Sequence, residues 1–374
     1  MAGGAQFDVA VIGGGLVGGA IAFGLRKLGA RLAVLDEGDH ALRAARGNFG
    51  LVWVQGKGMG LPRYGAWTQR SRREWPRFAA ELFDASGIDV GLSQRGGIHL
   101  CLDAVELDRR AATLAALNAQ PGFERYGFEV LDRTALAKQL PGLGVDVAGG
   151  TWCELDGHCN PLNLLYALHA ALARAGCAWR PASPVRAIAP RNDRFDVMTA
   201  TGLVTAERVV LAAGLGNVRL APMVGLEAAL RPQKGQVLVL ERMRPFLPLP
   251  LSTLRQTDDG TVLIGDSQEE GGVDEDVGLP VLSAMAARAV RAFPALRTAH
   301  VVRSWAALRV MSPDGFPIYQ QSSSHPGAYL AACHSGVTLA AVHAQVLAPG
   351  IAAGSLPPSL APFSSRRFDV PQAA

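Results

Sequence analysis

The chain has few cysteines, few charged residues and no run of like charges. Its cysteines are odd in number and include no C-x-x-C pair; they are Cys101, Cys153, Cys159, Cys177 and Cys333. This argues against a disulfide framework, a zinc ribbon or a cysteine-ligated iron–sulfur cluster within the chain, so we interpret them as free thiols and expect no metal site. Charged residues make up 18% of the chain, and a net charge of +4 comes from scattered arginines. Nucleic acid is therefore not an expected partner.

A basic segment is also missing at the start of the chain, so we predict no signal peptide and a reducing, cytoplasmic location. One apolar stretch, 331–354, has the length of a membrane span. It contains His334, Ser335, His343, Gln345 and Pro349, which favour a buried helix over a transmembrane one. We expect no membrane span.

Apolar residues, in contrast, form 49% of the 374 residues, enough for a large core in one large domain or two interleaved ones. Periodicity predicts helices over 64–83, 104–118, 160–175, 281–293 and 337–347. It predicts strands over 7–12, 31–35, 98–102, 185–188, 195–199, 209–212, 236–240, 261–264 and 328–332. We find no internal repeat.

The first motif is a glycine-rich turn between a strand and a helix. Gly13, Gly15 and Gly18 form G-x-G-x-x-G directly after the strand over 7–12, and Asp36 follows the next strand. The glycines allow a tight turn and close approach of the backbone to a pyrophosphate, while the helix N-terminus supplies N–H groups. The acid can accept hydrogen bonds from ribose. The pattern predicts dinucleotide binding, and it does not by itself separate NAD from FAD.

A second glycine turn lies late in the chain, in the sequence ACHSGVTL at 332–339. It opens an apolar helix, which could direct N–H groups toward the electron-rich edge of a flavin. An ordinary strand–turn–helix packing unit is the alternative interpretation. The segment 205–214, TAERVVLAAG, is also interpreted as a strand that runs into the Ala-Ala-Gly at 212–214.

Together these segments resemble a known family. The GGGLVG turn with Asp36, the AAG at 212–214, WAALRVMSPDGFPIY at 305–319 and HSGVTL at 334–339 are similar to the D-amino-acid oxidase-like flavoproteins. That family includes glycine and sarcosine oxidases and the β subunits of bacterial proline, opine and hydroxyproline dehydrogenases. The stretch RGNFGLVWVQGKG at 46–58 resembles most the β subunits of D-hydroxyproline and opine dehydrogenases.

The resemblance implies an α/β fold in which a Rossmann-like FAD-binding domain is interleaved with an antiparallel-sheet α+β substrate domain. The FAD-binding domain is expected to comprise 1–85, 151–221 and 321–374, and the substrate domain 86–150 and 222–320. The resemblance also implies FAD bound without a covalent link. In the sarcosine oxidases the linking cysteine lies six residues before the proline of the T-P-D turn, and the matching residue here is Ala307.

The resemblance further implies which residues contact FAD. Asp36 matches the acid that binds the adenine-side ribose, and Val185 matches the backbone contact to adenine. The other implied residues lie in the two glycine turns, in the loop after the second strand and at the AAG. They are Gly13, Gly15, Leu16, Val17, Gly18, Glu37, Ala45, Arg46, Gly47, Asn48, Phe49, Gly50, Leu51, Ala213, Gly214, His334, Ser335, Gly336, Val337, Thr338 and Leu339.

Arg309 is the expected catalytic-site residue, matching the family arginine that binds the substrate carboxylate. Val310 stands where the family often has proline, a departure that leaves Arg309 in place. On its own chemistry, a guanidinium in an apolar run suits a bidentate carboxylate, and a structural ion pair with Asp314 is the alternative. We interpret His334 as a group that orients rather than a base, and His169 as a hydrogen-bonded packing residue.

The sequence therefore predicts an FAD-dependent dehydrogenase that oxidises the C–N bond of a small, cyclic or secondary amino acid, D-hydroxyproline-like, to an imine. Its partners would be electron-transfer subunits that carry FAD, FMN or iron–sulfur clusters. Two alternatives remain: an oxygen-using amino-acid oxidase of the glycine or sarcosine oxidase type, and a non-catalytic electron-carrying flavoprotein subunit.

Overall fold

The computed structural model of the chain describes residues 6–38, 44–265 and 267–369. The helices are α1 Leu16–Lys27, α2 Pro62–Ser86, α3 Ala104–Ala119, α4 Arg133–Gln139, α5 Pro161–Arg174, α6 Asn217–Leu220, α7 Leu279–Ala292, α8 Ala340–Val342 and α9 Ala348–Ala352. The strands are β1 Gln6–Ile12, β2 Leu32–Leu35, β3 Leu51–Val52, β4 Gly97–Cys101, β5 Glu129–Asp132, β6 Gly149–Cys153, β7 Gly157–His158, β8 Ala178–Arg180, β9 Val185–Pro190, β10 Phe195–Thr199, β11 Gly202–Leu211, β12 Arg231–Arg242, β13 Leu254–Gln256, β14 Thr261–Ile264, β15 Glu269–Glu270, β16 Val301–Met311, β17 Ile318–Gln321 and β18 Ala328–Ala332.

The largest sheet has the strand order β17-β18-β11-β1-β2-β8, and the antiparallel pair β9–β10 joins it through β11. β1 runs parallel to both β2 and β11, and β11 runs parallel to β18. All four residues of β2 are buried, as expected of a central parallel strand covered on both faces. One apolar cluster lies on each face of this sheet, and α1 packs into one of them through Ile21 and Leu25.

Two antiparallel sheets lie beside it. One has the order β13-β14-β12-β15, with β16 paired along β12 from Arg231–Met311 to Leu240–Val301. The other has the order β4-β6-β5. Leucines from both sheets and from α4 and α7 share one core. The predicted fold class, a parallel α/β sheet with separate antiparallel sheets, is confirmed, whereas the residue ranges of the two domains remain a prediction.

The C-terminal helical segment differs from its prediction. The sequence pattern predicts a helix from residue 337, but turn residues continue to Leu339 and the helix begins at Ala340. A π-helical turn, His343–Leu347, separates α8 from α9. Pro349 has no N–H to donate and its ring crowds the preceding turn, and a local π turn is one way to accommodate such a residue. Across the described residues, no helix is long and apolar enough to cross a bilayer.

The loop before this segment is held by one residue, Thr338. Its carbonyl oxygen accepts hydrogen bonds from Ser71 Oγ at 2.6 Å and from Trp75 Nε1 at 3.1 Å, both on α2. Its hydroxyl donates to the carbonyl of Leu51 and accepts from the N–H of Trp53, each at 3.2 Å. Because Thr338 is only 4% exposed, water does not replace these bonds.

We expect Thr338→Val to lower the free energy of unfolding by about 1–3 kcal/mol, because valine keeps the volume and leaves the buried Trp53 N–H without its acceptor. Urea-induced unfolding measures the loss. Thr338→Ser, which keeps the hydroxyl, is the control and should lie closer to the parent protein. Equal stabilities of the valine variant and the parent would show that the hydroxyl does not join these segments.

Candidate active site

The glycine turn places the start of α1 against two strands. Gly13 has φ +104°, and a β-carbon there would overlap the backbone of Ala212, the residue directly after β11. A β-carbon at Gly18 would overlap the carbonyl oxygen of Gly13. The N-cap of α1 is Gly15, which supplies no side-chain capping bond. The first N–H groups of the helix are therefore available to an anion at this end of the sheet.

Asp36 holds this turn from the adjacent strand. Its carboxylate accepts a hydrogen bond from the N–H of Gly14 at 2.6 Å and another from the N–H of Gly38 at 2.9 Å. The predicted ribose acid thus also fixes the glycine turn.

A first cavity of about 300 Å³ opens over this turn. It extends from the end of β2 to the turn after β18. The sequence-predicted cofactor residues on its wall are Gly13, Gly15, Leu16, Val17, Asp36, Glu37, Ala45, Arg46, Asn48, Val185, Ala213, Gly214, His334 and Gly336. The predicted residues on this wall therefore come from segments that are more than 300 residues apart in the chain.

A second cavity, of about 380 Å³, adjoins the first, because Ala44, Asn48, Leu308 and His334 line both. The sequence-predicted residues on its wall are Gly47, Asn48, Phe49, Leu51, Arg309, His334, Ser335, Val337 and Thr338. Gly18, Gly50 and Leu339 line neither cavity. Gly18 and Gly50 allow close backbone packing, and Leu339 belongs to the core.

Residues that the sequence analysis did not assign to a site also reach these walls. His169 Nε2 lies 2.8 Å from the carbonyl oxygen of Gly14, and its ring lies 4.2 Å from that of Trp179. His169 is hydrogen-bonded as predicted, but it lines the first cavity together with Trp179. Arg110 and His99 line the second cavity. Nothing in the sequence marks them, because their neighbours in the cavity lie far away along the chain.

Arg309 reaches the second cavity from β16. Its Nη1 donates to the carbonyl oxygens of Ser267 at 2.8 Å and Lys234 at 3.3 Å. A β-carbon at Gly235 would lie 2.6 Å from the same nitrogen, so glycine there leaves space for the guanidinium. Asp314, the acid considered as its structural partner, forms an ion pair with Arg367 at 2.7 Å.

On another wall, Ser335 connects three polar groups. Its hydroxyl lies 2.8 Å from Tyr64 Oη, 3.1 Å from His334 Nε2 and 3.4 Å from Lys57 Nζ. Burial, and then the charges of Lys57 and Arg309, lower the pKa of His334 to about 3. His334 is therefore neutral at physiological pH and a weak base, as expected of a residue that orients rather than abstracts a proton.

The cysteines are free thiols in the structure. Cys333 lines the first cavity, and burial raises the pKa of its thiol to about 12. Burial also raises the pKa of Cys153 and Cys159 to about 12. These thiols are protonated at neutral pH and are poor nucleophiles. Within the described residues, no group of His, Cys, Asp and Glu is arranged to hold a metal ion.

Comparison with known proteins assigns this chain to a family. Residues 8–349 match the model of the FAD dependent oxidoreductase (DAO) family, so the chain belongs to that family. An opine oxidase subunit of Agrobacterium tumefaciens (strain Ach5) is 46% identical over 98% of this chain and 99% of that protein. Glycine oxidase of Geobacillus kaustophilus is 27% identical, and its crystal structure superimposes with a TM-score of 0.87 over 96% of this chain and 98% of that one.

L-proline dehydrogenase from P. horikoshii shares the fold, with a TM-score of 0.81 at 20% identity over 98% of each chain. The chain is thus an FAD-dependent oxidoreductase. The site fits this cofactor, because a glycine cradle at an uncapped helix start opens into two adjoining cavities that suit the two ends of a dinucleotide.

We predict that FAD is held without a covalent bond. Ala307, at the position considered for a linking cysteine, is buried on the wall of the second cavity and offers no nucleophile, while the Cys333 thiol stays protonated. Acid precipitation of the purified protein should leave the flavin absorbance in the supernatant. Yellow colour retained in the washed pellet would contradict this.

Proposed function

We propose that the enzyme oxidises the C–N bond of a secondary amino acid, a class that includes both cyclic D-hydroxyproline-like and open-chain opine substrates. The observation that carries the proposal is the guanidinium of Arg309 on the wall of the second cavity. Relatives named opine oxidase and glycine oxidase support an amino-acid substrate. In this proposal FAD contacts those of the residues expected from the sequence that line the two cavities, which leaves out Gly18, Gly50 and Leu339.

Arg309 would bind the carboxylate of the substrate. A guanidinium matches a carboxylate with two parallel hydrogen bonds, which fixes the direction of the adjacent carbon. Lys234 and Ser267 restrain Nη1 through their carbonyl oxygens, so the fork is oriented before the substrate arrives. Orientation of this kind is a large part of what an enzyme supplies to such a reaction.

When bound, FAD would supply the acceptor for a hydride from the substrate carbon next to the amine nitrogen, so that the amine becomes an imine. Water adding to the C=N bond would release an amine and an oxo acid from an open-chain substrate, and would open the ring of a cyclic one. The residues around the cavity need not remove a proton if the amine enters neutral. The neutral His334 and the protonated thiols agree with a site that works by orientation and electrostatics.

Anaerobic bleaching of the flavin is the direct test. A panel of D- and L-amino acids, prolines, N-alkyl glycines and opines should show bleaching by secondary amines that carry an α-carboxylate. Bleaching by primary amino acids alone, or by no member of the panel, would overturn the proposal.

We expect Arg309→Ala to raise the KM for the best substrate by about tenfold or more while FAD stays bound, because one charge-assisted hydrogen bond contributes about 1.5–3 kcal/mol. Arg309→Lys keeps the positive charge and loses the paired N–H groups of the guanidinium, so its KM should lie between those of the parent enzyme and the alanine variant. Steady-state kinetics with flavin content measured on each preparation gives the answer. An unchanged KM in the alanine variant would remove Arg309 from the binding site.

We also propose that the electrons leave through partner subunits. The 45–46% identical relatives are each named as one subunit of an opine oxidase, which supports an assembly of several chains. The sequence offers no cysteine set for an iron–sulfur relay, so FMN, FAD or iron–sulfur centres would come from other chains. Free thiols agree with the proposed cytoplasmic location.

Oxygen should therefore be a poor acceptor for the isolated chain. Stopped-flow mixing of the substrate-reduced protein with air-saturated buffer should show slow return of the oxidised flavin spectrum, and faster return with an artificial acceptor such as a phenazine. Rapid reoxidation with one hydrogen peroxide per flavin would make the enzyme an oxidase of the glycine oxidase type instead.

A further inference from the structure

The second cavity has a second guanidinium on its wall, that of Arg110. Arg309 enters from β16, whereas Arg110 enters from α3, which packs on β4 and β6. The two arginines therefore reach the same space from different structural elements. If Arg309 binds one carboxylate of the substrate, the Arg110 side of the cavity is open to another part of that substrate.

Neutral groups hold Arg110 in place. Its Nη2 donates to Gln55 Oε1 at 2.8 Å, and its Nε donates to Thr151 Oγ1 at 3.3 Å. The Gln55 amide cannot turn around, because its Nε2 donates to Asp156 Oδ2 at 2.6 Å on the other side. Gln55 is 2% exposed and Asp156 is fully buried. The guanidinium is thus fixed by acceptors that carry no charge.

The third nitrogen of Arg110, Nη1, lies beside the loop after β3. A β-carbon at Gly56 would be 3.0 Å from it, so this glycine leaves the space that the guanidinium uses. This nitrogen takes no part in the bonds to Gln55 and Thr151, which use Nη2 and Nε. It is the part of the fork left to bind an anion.

Arg110 forms no ion pair within the described part of the chain, where no Asp or Glu oxygen lies within 4.0 Å of its nitrogens. The nearest acid that acts on its charge, Asp156, lies behind Gln55. The described residues on the cavity wall include the cations Arg110, Arg309 and Lys57 and no acid. Burial, followed by the charges of Arg110 and Arg288, lowers the pKa of the neighbouring His99 to about 4, which agrees with a positive field at this wall.

We infer that Arg110 binds a second carboxylate of the substrate, which is therefore a secondary amine with a carboxylate on each of the two carbons that flank the nitrogen. This inference rests on the proposed function and narrows it to opine-like dicarboxylates. A partly buried guanidinium with neutral partners is stabilised when a carboxylate approaches it. Two separate carboxylate sites also define the direction in which the substrate lies.

A structural role for Arg110 is the competing explanation. Asp156 lies behind Gln55 and interacts with Arg110 through its charge, so the arginine could serve only to stabilise this network. The two explanations differ in what they predict for ligands. A structural role affects mono- and dicarboxylates equally, whereas a carboxylate site affects only the second carboxylate.

The experiment uses two ligands that the flavin cannot oxidise as amines. Thiodiacetate has a carboxylate on each side of a sulfur, and (methylthio)acetate has only one. Titration of the holoenzyme, followed by perturbation of the visible flavin spectrum, gives the dissociation constant of each. Wild type should bind thiodiacetate more tightly, and Arg110→Met should weaken it by about tenfold or more while (methylthio)acetate changes by less than about twofold.

Arg110→Lys should recover part of the affinity for thiodiacetate, since it keeps the charge. Arg109→Met, which alters the exposed neighbour on α3, is the matched control and should leave both ligands unchanged. Equal weakening of both ligands by Arg110→Met, no weakening of either, or a wild type that does not prefer thiodiacetate would each overturn the inference. Failure of the proposed function shows differently, as a wild-type flavin that no secondary amino acid reduces.

Discussion

The walls of the site depend on the bonds made by Thr338. Its carbonyl binds α2 and its hydroxyl binds the strand β3 and the residue after it, so three segments from the beginning and end of the chain meet at one buried residue. Those segments carry Trp53, Gln55, Ser335 and Val337 to the second cavity. Since the bonds are buried, the geometry of one wall cannot change without leaving a polar group unsatisfied. The cavity is therefore largely formed before any ligand enters, which reduces the cost of binding.

The electrostatics of this cavity follow from which groups are charged and which are neutral. Lys57, Arg110 and Arg309 supply positive charge, and that charge together with burial keeps His334 and His99 unprotonated. A neutral histidine adds no further repulsion toward the cations, and it can still orient a neighbour such as Ser335. Such a site attracts anions and favours the build-up of negative charge in its interior. It is poorly suited to proton abstraction by a side chain.

Local patterns in the sequence predicted the elements whose structure depends mainly on interactions between residues that are close together in the chain. The β1–α1–β2 unit with its glycine turn was predicted because the turn, the helix and the acid lie within about thirty residues. The start of the C-terminal helix was misplaced at 337, since periodicity alone does not register the tertiary bonds of Ser335 and Thr338 that hold those residues as a turn. In the sequence β16 is an apolar run, and only its pairing with β12 shows that it is a strand.

The same distinction applies to the site. Arg309 was predicted because a recognisable motif surrounds it, whereas Arg110 lies on a helix next to the exposed charged residues Asp108 and Arg109. Its placement depends on Gln55 and Asp156, which are separated by about a hundred residues in the chain. No periodicity or spacing carries that information, because the network arises only when α3, β6 and the loop after β3 pack together.

Two fixed arginines would make the enzyme selective mainly because a substrate with a single carboxylate leaves one of the two guanidinium groups without an acceptor. A monocarboxylate can occupy Arg309, but it must then leave Arg110 beside a ligand that displaces water and offers it no acceptor. The cost of such an unpaired buried donor exceeds the gain from one additional contact, which is why sites built for a polar group reject analogues that lack it. An anion on the Arg110 side would remove that cost and neutralise part of the positive wall. A second carboxylate thus contributes to selectivity as well as to affinity, through groups that the fold already holds in position.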